Sequence, residues 1–197
     1  MKKLLAMLLA LMLMLSAVPC LAEAGESETP LKLQWSQAIG IDTLFESPAR
    51  DQQSLYPYMV FDTLMYWDGA NSEHVPALAT EWGSNEDYTE FTLTIRDGVK
   101  WHDGETLTAE DVAFTIEYYI ANPNSSGARR FQYVEGYDAL KNGEAEHLSG
   151  MSVEGNVVTL KLAKSYPLFL SGVYSTLILP KHLLGNIAWA DIDSSDF

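Results

Sequence analysis

Phe91-Thr92-Leu93-Thr94-Ile95-Arg96-Asp97-Gly98-Val99-Lys100-Trp101-His102-Asp103-Gly104-Glu105 runs on through Thr106 and Leu107 to Thr108-Ala109-Glu110-Asp111-Val112. Phe91, Leu93 and Ile95 alternate with Thr92, Thr94 and Arg96, the period of a strand with one buried face. Asp97-Gly98 and His102-Asp103-Gly104-Glu105 read as turns, with a short second strand, Val99–Trp101, between them. The two glycines supply backbone freedom there. Thr108 followed three residues later by Asp111 is a capping-box pattern, which starts a helix running to about Ala121. Val112, Ala113, Ile116, Tyr119 and Ile120 form its buried stripe. Asn122-Pro123-Asn124 stops it.

The pattern continues on both sides. Leu31–Trp35 alternates and reads as a strand, and Ala38–Pro48 as a loop. Ser54–Trp67 has helical spacing, and Asp68-Gly69 ends it. Pro76–Ala79 reads as a short helical turn leading into a strand near Glu81-Trp82. Ser125–Arg130 reads as a loop, Phe131–Leu140 as a helix closed by Gly143. Met151–Val153 and Val157–Leu162 form a hairpin around Glu154-Gly155-Asn156, with Val158, Leu160 and Leu162 facing the core. Tyr166–Val173 is a short helix, Leu177–Leu179 is extended, and Pro180 starts a helix through Leu184. Helices mixed with hairpin-paired strands predict a mixed α/β (α+β) fold.

The N-terminus has its own grammar. Met1-Lys2-Lys3, an apolar run from Leu4 to Leu15, and Ala22-Glu23-Ala24 have the layout of a secretory signal peptide. The run is shorter than the roughly 20 residues of a membrane span. Residues 1–24 are therefore expected to be removed, and 25–30 to form a flexible leader. Cys20 is the only cysteine, so no disulfide is available. A lipid anchor on Cys20 is the lesser alternative, because Pro19 stands where a small residue is wanted.

Removal of the leader takes away Lys2, Lys3 and Glu23 and moves the net charge from −15 to −16. Such a chain repels phosphate backbones and anionic headgroups, which excludes nucleic acid as a partner. The spread of acid favours solubility over capture of cationic ligands. The whole chain is 47% hydrophobic, and the residues left after the leader, about 173, suffice for a packed core.

The quoted stretch closely resembles the signature of the bacterial extracellular solute-binding proteins of family 5. Pro76–Ala79 before Trp82, Leu148-Ser149-Gly150 and Leu179-Pro180-Lys181-His182 resemble flanking motifs of that family, in the same order. The resemblance implies a type II periplasmic-binding-protein fold, with 31–197 as part of the first lobe and its hairpin-containing subdomain. It implies the extracytoplasmic binding component of an ABC transporter, taking up oligopeptides or dipeptides and, in some members, nickel complexes. It implies a membrane permease as partner, a monomer, no cofactor and no enzymatic step. Ligand contact is expected on the loop containing Gln37, Ala38, Ile39 and Gly40, whose backbone pairs with an extended peptide. Phe131 and Tyr133 are further candidates, with ordinary core packing as the competing reading.

Other chemistry has weaker support. His102-Asp103 reads as a turn and not as a catalytic pair. There is no G-x-S-x-G and no H-E-x-x-H. The four histidines, at 74, 102, 147 and 182, are scattered. Asp191-x-Asp193-x-Ser195 lacks the glycine of a calcium loop. A sugar-binding lobe with stacking aromatics, and a secreted hydrolase, are the alternatives from other classes.

Overall fold

A computed structural model describes residues 60–123, 125, 127–189 and 191–192. All lie in the unit Ile39–Phe197. The expected strand 31–35, the loop 38–48 and the start of the 54–67 segment lie outside the described residues.

Strand β1 (Met65–Asp68) pairs antiparallel with β2 (Glu73–Pro76), opposing Trp67 to His74 and Asp68 to Glu73. A second sheet holds β3 (Ala79–Ser84), β4 (Glu90–Ile95), β5 (Met151–Glu154) and β6 (Val157–Lys161), in the order β3-β4-β6-β5, every pair antiparallel. Helix α1 (Ala109–Ala121) covers one sheet face. Phe91, Leu93, Ile95, Val158 and Leu160 meet Val112, Ile116 and Ile120 there, all essentially without exposure. The alternating strand, the capped helix and the hairpin thus stand where the sequence puts them. Val158, Leu160 and Leu162 are buried as expected.

The helix exceeds its expected stripe. Every residue from Asp111 to Ile120 is buried, including Phe114, Thr115, Glu117 and Tyr118. A later stretch closes its second side, with Trp189 against Phe114 at 5.2 Å and near Tyr118 at 6.3 Å.

Several expectations are corrected. Within the segment 54–67, Val60 is helical but the helix does not continue to Trp67: β1 begins at Met65. Distant backbone takes the groups a helix would pair locally. Met65 N–H donates to Tyr174 O, Thr63 O and Leu64 O accept from Leu78 and Ala79, and Asp62 O accepts from Ile178. Pro76 ends β2 and Ala79 begins β3, so 76–79 is a bend between strands and not a helical turn. Val99–Trp101 reduces to one bridge, Lys100 to Thr106. Gly127–Phe131 is a 3-10 helix and not a loose loop, with Gly127 pressed under the Tyr119 ring where no side chain fits. The helix expected over 131–140 shrinks to α2 (Tyr137–Lys141), because Gly136 enters it with φ 84°. A short α3 (Phe169–Val173) and α4 (Lys181–Leu184), the latter starting after Pro180, complete the order. Among the described residues no helix is long and apolar enough to cross a membrane.

Candidate functional site

Three polar residues of the 91–112 stretch, Asp103, Glu110 and Asp111, dock the 179–182 segment. Asp111 is the hub. One carboxylate oxygen accepts from Thr108 N–H at 2.8 Å and from the Thr108 hydroxyl at 3.1 Å; the other accepts Lys181 N–H at 2.9 Å. One turn along, the Thr115 hydroxyl donates to Asp111 O at 2.6 Å and accepts Leu179 N–H at 2.9 Å. Lys181 Nζ reaches Glu110 at 2.9 Å on the surface. A capping carboxylate and a helix hydroxyl thereby satisfy backbone donors 64 and 70 residues away, which would otherwise be left in a largely dry place.

The turn follows the same logic. Gly98 and Gly104 take φ values of 76° and 93°, which other residues adopt only with strain. Asp103 accepts Glu105 N–H at 3.1 Å and lies 2.7 Å from His182 Nε2. These bonds, that to His182 first, hold its carboxyl below the ordinary carboxylate value. His102 stays on the exposed turn. His102 and Asp103 therefore act as turn residues, and the partner of Asp103 comes from the downstream motif. Between the two motifs lies a polar depression of about 380 Å³, lined by Glu105, Thr106, Thr108, Asp111, Lys181, His182, Gly185 and Asn186.

A second docking point uses Glu117. Buried in α1, it accepts Leu148 N–H at 2.9 Å and lies 3.2 Å from His147 Nδ1. Gly150 follows, and a Cβ there would sit 2.7 Å from Lys161 O and Glu135 Cβ. The glycine lets three backbone bonds close around it: Gly150 to Glu135, Lys161 to Gly150 and Glu135 to Lys161.

Of the expected ligand contacts, Gln37, Ala38, Ile39 and Gly40 lie outside the described residues. Phe131 has no exposed surface and belongs to the core. Tyr133 is only partly buried, edge-on to Tyr166 at 4.9 Å, with Lys164 Nζ 3.8 Å from its ring centroid. The four histidines do not converge, and among the described residues no group of three or more His, Cys, Asp or Glu is placed to hold a metal. Most of the 191–195 segment lies outside the described residues. Unforeseen in the sequence reading is an aromatic cluster on the β1–β2 hairpin. His74 lies between Trp67 at 5.0 Å and Tyr174 at 4.9 Å, and Trp67 is half exposed. The available signal was the doublet Tyr66-Trp67, which a single buried face cannot accommodate. These groups bind and orient through hydrogen bonds, charge and ring faces.

Comparison with known proteins was made on this basis. Residues 73–196 match the profile described as bacterial extracellular solute-binding proteins, family 5, middle. The oligopeptide-binding protein AppA of Bacillus subtilis is 33% identical over 108 residues, covering 54% of this chain and 18% of AppA. The oligopeptide-binding protein OppA of Lactococcus lactis subsp. lactis is 24% identical over 182 residues, covering 86% of this chain and 28% of OppA. Among solved structures, NikZ from Campylobacter jejuni in complex with Ni(L-His) superposes with a TM-score of 0.56 at 33% identity, over 70% of this chain and 24% of NikZ. The chain thus spans less than a third of the length of the relatives it matches.

Proposed function

The chain belongs to the bacterial extracellular solute-binding proteins of family 5, and on that premise we propose that it acts outside the cytoplasm as the peptide-binding component of an ABC transporter. The observation that carries this reading is the match over 73–196, which takes in every docking contact described above, together with relatives named for oligopeptide binding. In this reading the signature is a folding element. It fixes the subdomain that borders the solute and supplies no reactive group. Affinity comes from backbone hydrogen bonds to an extended peptide along the loop Gln37, Ala38, Ile39 and Gly40, a mode that tolerates varied side chains. Tyr133 is a further contact in this reading. Binding closes two lobes over the peptide, and the closed form docks on the membrane permease as a monomer, with no cofactor.

Purification of the protein from its own host, followed by mass spectrometry of what denaturation releases, tests this. Peptides of a few residues are expected. Oligosaccharide, or turnover of any released compound on re-addition, would overturn the reading. A chelate of nickel with a small amino acid is a second reading, supported by the 33% identity to NikZ. Nickel in stoichiometric amount without peptide in the same preparation would select it.

A further inference from the structure

The turn that leaves α2 holds a reactive pair. Asn142-Gly143 is the one Asn-Gly pair in the chain. Both residues are exposed, and the Asn142 side chain makes no hydrogen bond to any described residue. Gly143 has φ 73° and open space where a Cβ would project, so its backbone nitrogen is an unhindered nucleophile beside the Asn142 amide. The other described asparagines are occupied or blocked. Asn71 donates to Asp68 at 2.7 Å. Asn85 donates to Thr89 and accepts the N–H groups of Thr89 and Glu90. Asn122 is buried, donates to Tyr118 at 2.9 Å and precedes Pro123, which has no N–H. Asn156 donates to Ile95 O, and both Asn156 and Asn186 precede a β-branched residue that crowds the following nitrogen.

We infer that Asn142 is the site at which this protein deamidates. The Gly143 nitrogen gives up its proton to hydroxide and attacks Cγ of Asn142. The new C–N bond closes a five-membered imide, and the side-chain nitrogen leaves as ammonia. Water then opens the imide at either carbonyl, leaving aspartate, or isoaspartate with the backbone routed through the side chain. Water is the only co-reactant consumed. The fold sets the pace. Gly143 N–H donates to Leu140 O at 3.1 Å, and a ψ of −1° at Asn142 keeps that nitrogen turned away from the side-chain carbonyl. Ring closure therefore waits for the last turn of α2 to open, a small event at the exposed end of a five-residue helix. The product weakens that turn further. A carboxylate at 142 faces the unfavourable end of the helix dipole and adjoins Glu144 and Glu146. Isoaspartate also lengthens the backbone inside the loop that Glu144 N–H closes on Ala139 O at 2.8 Å. The reaction needs no ligand, so it stands apart from the solute reading.

The full chain, aged in mildly alkaline buffer, digested with trypsin at intervals and read by tandem mass spectrometry, tests this. Cleavage after Lys141 and Lys161 releases a peptide that holds Asn142 and Asn156, and fragment ions separate the two. In the native protein the mass gain of amide-to-acid conversion is expected at Asn142 and at no other described asparagine, as a mixture of aspartate and isoaspartate. It is expected to slow as pH is lowered and to quicken when urea opens the fold. Asn142→Gln, which leaves Gly143 in place at an exposed position, is expected to lose the gain from this peptide altogether. An unchanged Asn142, or an earlier gain at Asn71, Asn85, Asn156 or Asn186, would overturn the inference. Conversion as fast in native buffer as in urea would overturn the part assigned to the α2 turn.

Discussion

The 91–112 stretch and the β1–β2 hairpin treat polarity in opposite ways. In the first and the helix it starts, Asp103, Asp111, Thr115 and Glu117 each accept a backbone N–H or face a named side chain from a distant segment. In the second, aromatic area stays in water and the neighbouring carboxylates have no cationic side chain within residues 60–95 to meet. The contrast teaches that motif density marks the structural part of this protein. A buried polar group must find its partner, and a partner 64 to 79 residues away constrains sequence strongly. The hairpin is tied to distant chain mainly through ring packing of His74 on Tyr174 and one backbone bond from Met65.

Substitutions can break or sharpen this contrast. The largest effect is expected in the core beneath the signature: Phe91→Ala, at a ring tilted against Phe169 at 4.9 Å, should cost about 3–5 kcal/mol in urea unfolding. Asp111→Ala should cost about 2–3 kcal/mol, since three donors lose one charged acceptor, and protection of Lys181 N–H from hydrogen exchange should fall with it. An equal effect from exposed Glu110→Ala would show that charge near the helix start, and not docking, is what matters.

Asp103→Asn tests the turn. The folded carboxyl lies below its ordinary value of 3.8, so its contribution is complete above that value and is lost as pH falls through the lower folded one. Native protein should therefore lose urea resistance more steeply than the Asn variant as pH falls below about 4. Parallel curves for the two proteins would remove the tie between the turn and His182. The smallest effect belongs to the hairpin: Trp67→Leu should change stability by less than about 0.5 kcal/mol, as for surface positions generally. A loss of 2 kcal/mol or more would make Trp67 a structural residue and erase the contrast.

The elements that were legible in the sequence share a cause. β4, α1 and the β5–β6 hairpin are written in local patterns: alternation at Phe91, Leu93 and Ile95, a cap at Thr108 and Asp111, and a turn signal at Glu154-Gly155-Asn156, which the structure tightens to Gly155 and Asn156 by pairing Glu154 with Val157. The 61–67 part of the 54–67 segment misled because its spacing suits a helix, yet Asp62 and Met65 bond to the backbone of Ile178 and Tyr174, and Thr63 and Leu64 to that of Leu78 and Ala79. Gly127 looked like a loop glycine until the ring of Tyr119 lay over it. The candidate ligand residues divide likewise: Phe131 is core and Tyr133 is only partly buried. The aromatic cluster at Trp67 needs Tyr174, over a hundred residues away, to exist.

By itself the sequence determined the mixed α/β class, the start of α1, the existence of the β5–β6 hairpin and the likeness to a solute-binding family, because each rests on residue types at short, regular spacing. Only the tertiary structure decided that Asp103 faces His182 and not His102, that α1 is buried all round, and that an acidic hairpin presents an aromatic cluster. Those outcomes depend on which distant segment supplies a donor, a ring or a cover, and no local spacing encodes that choice.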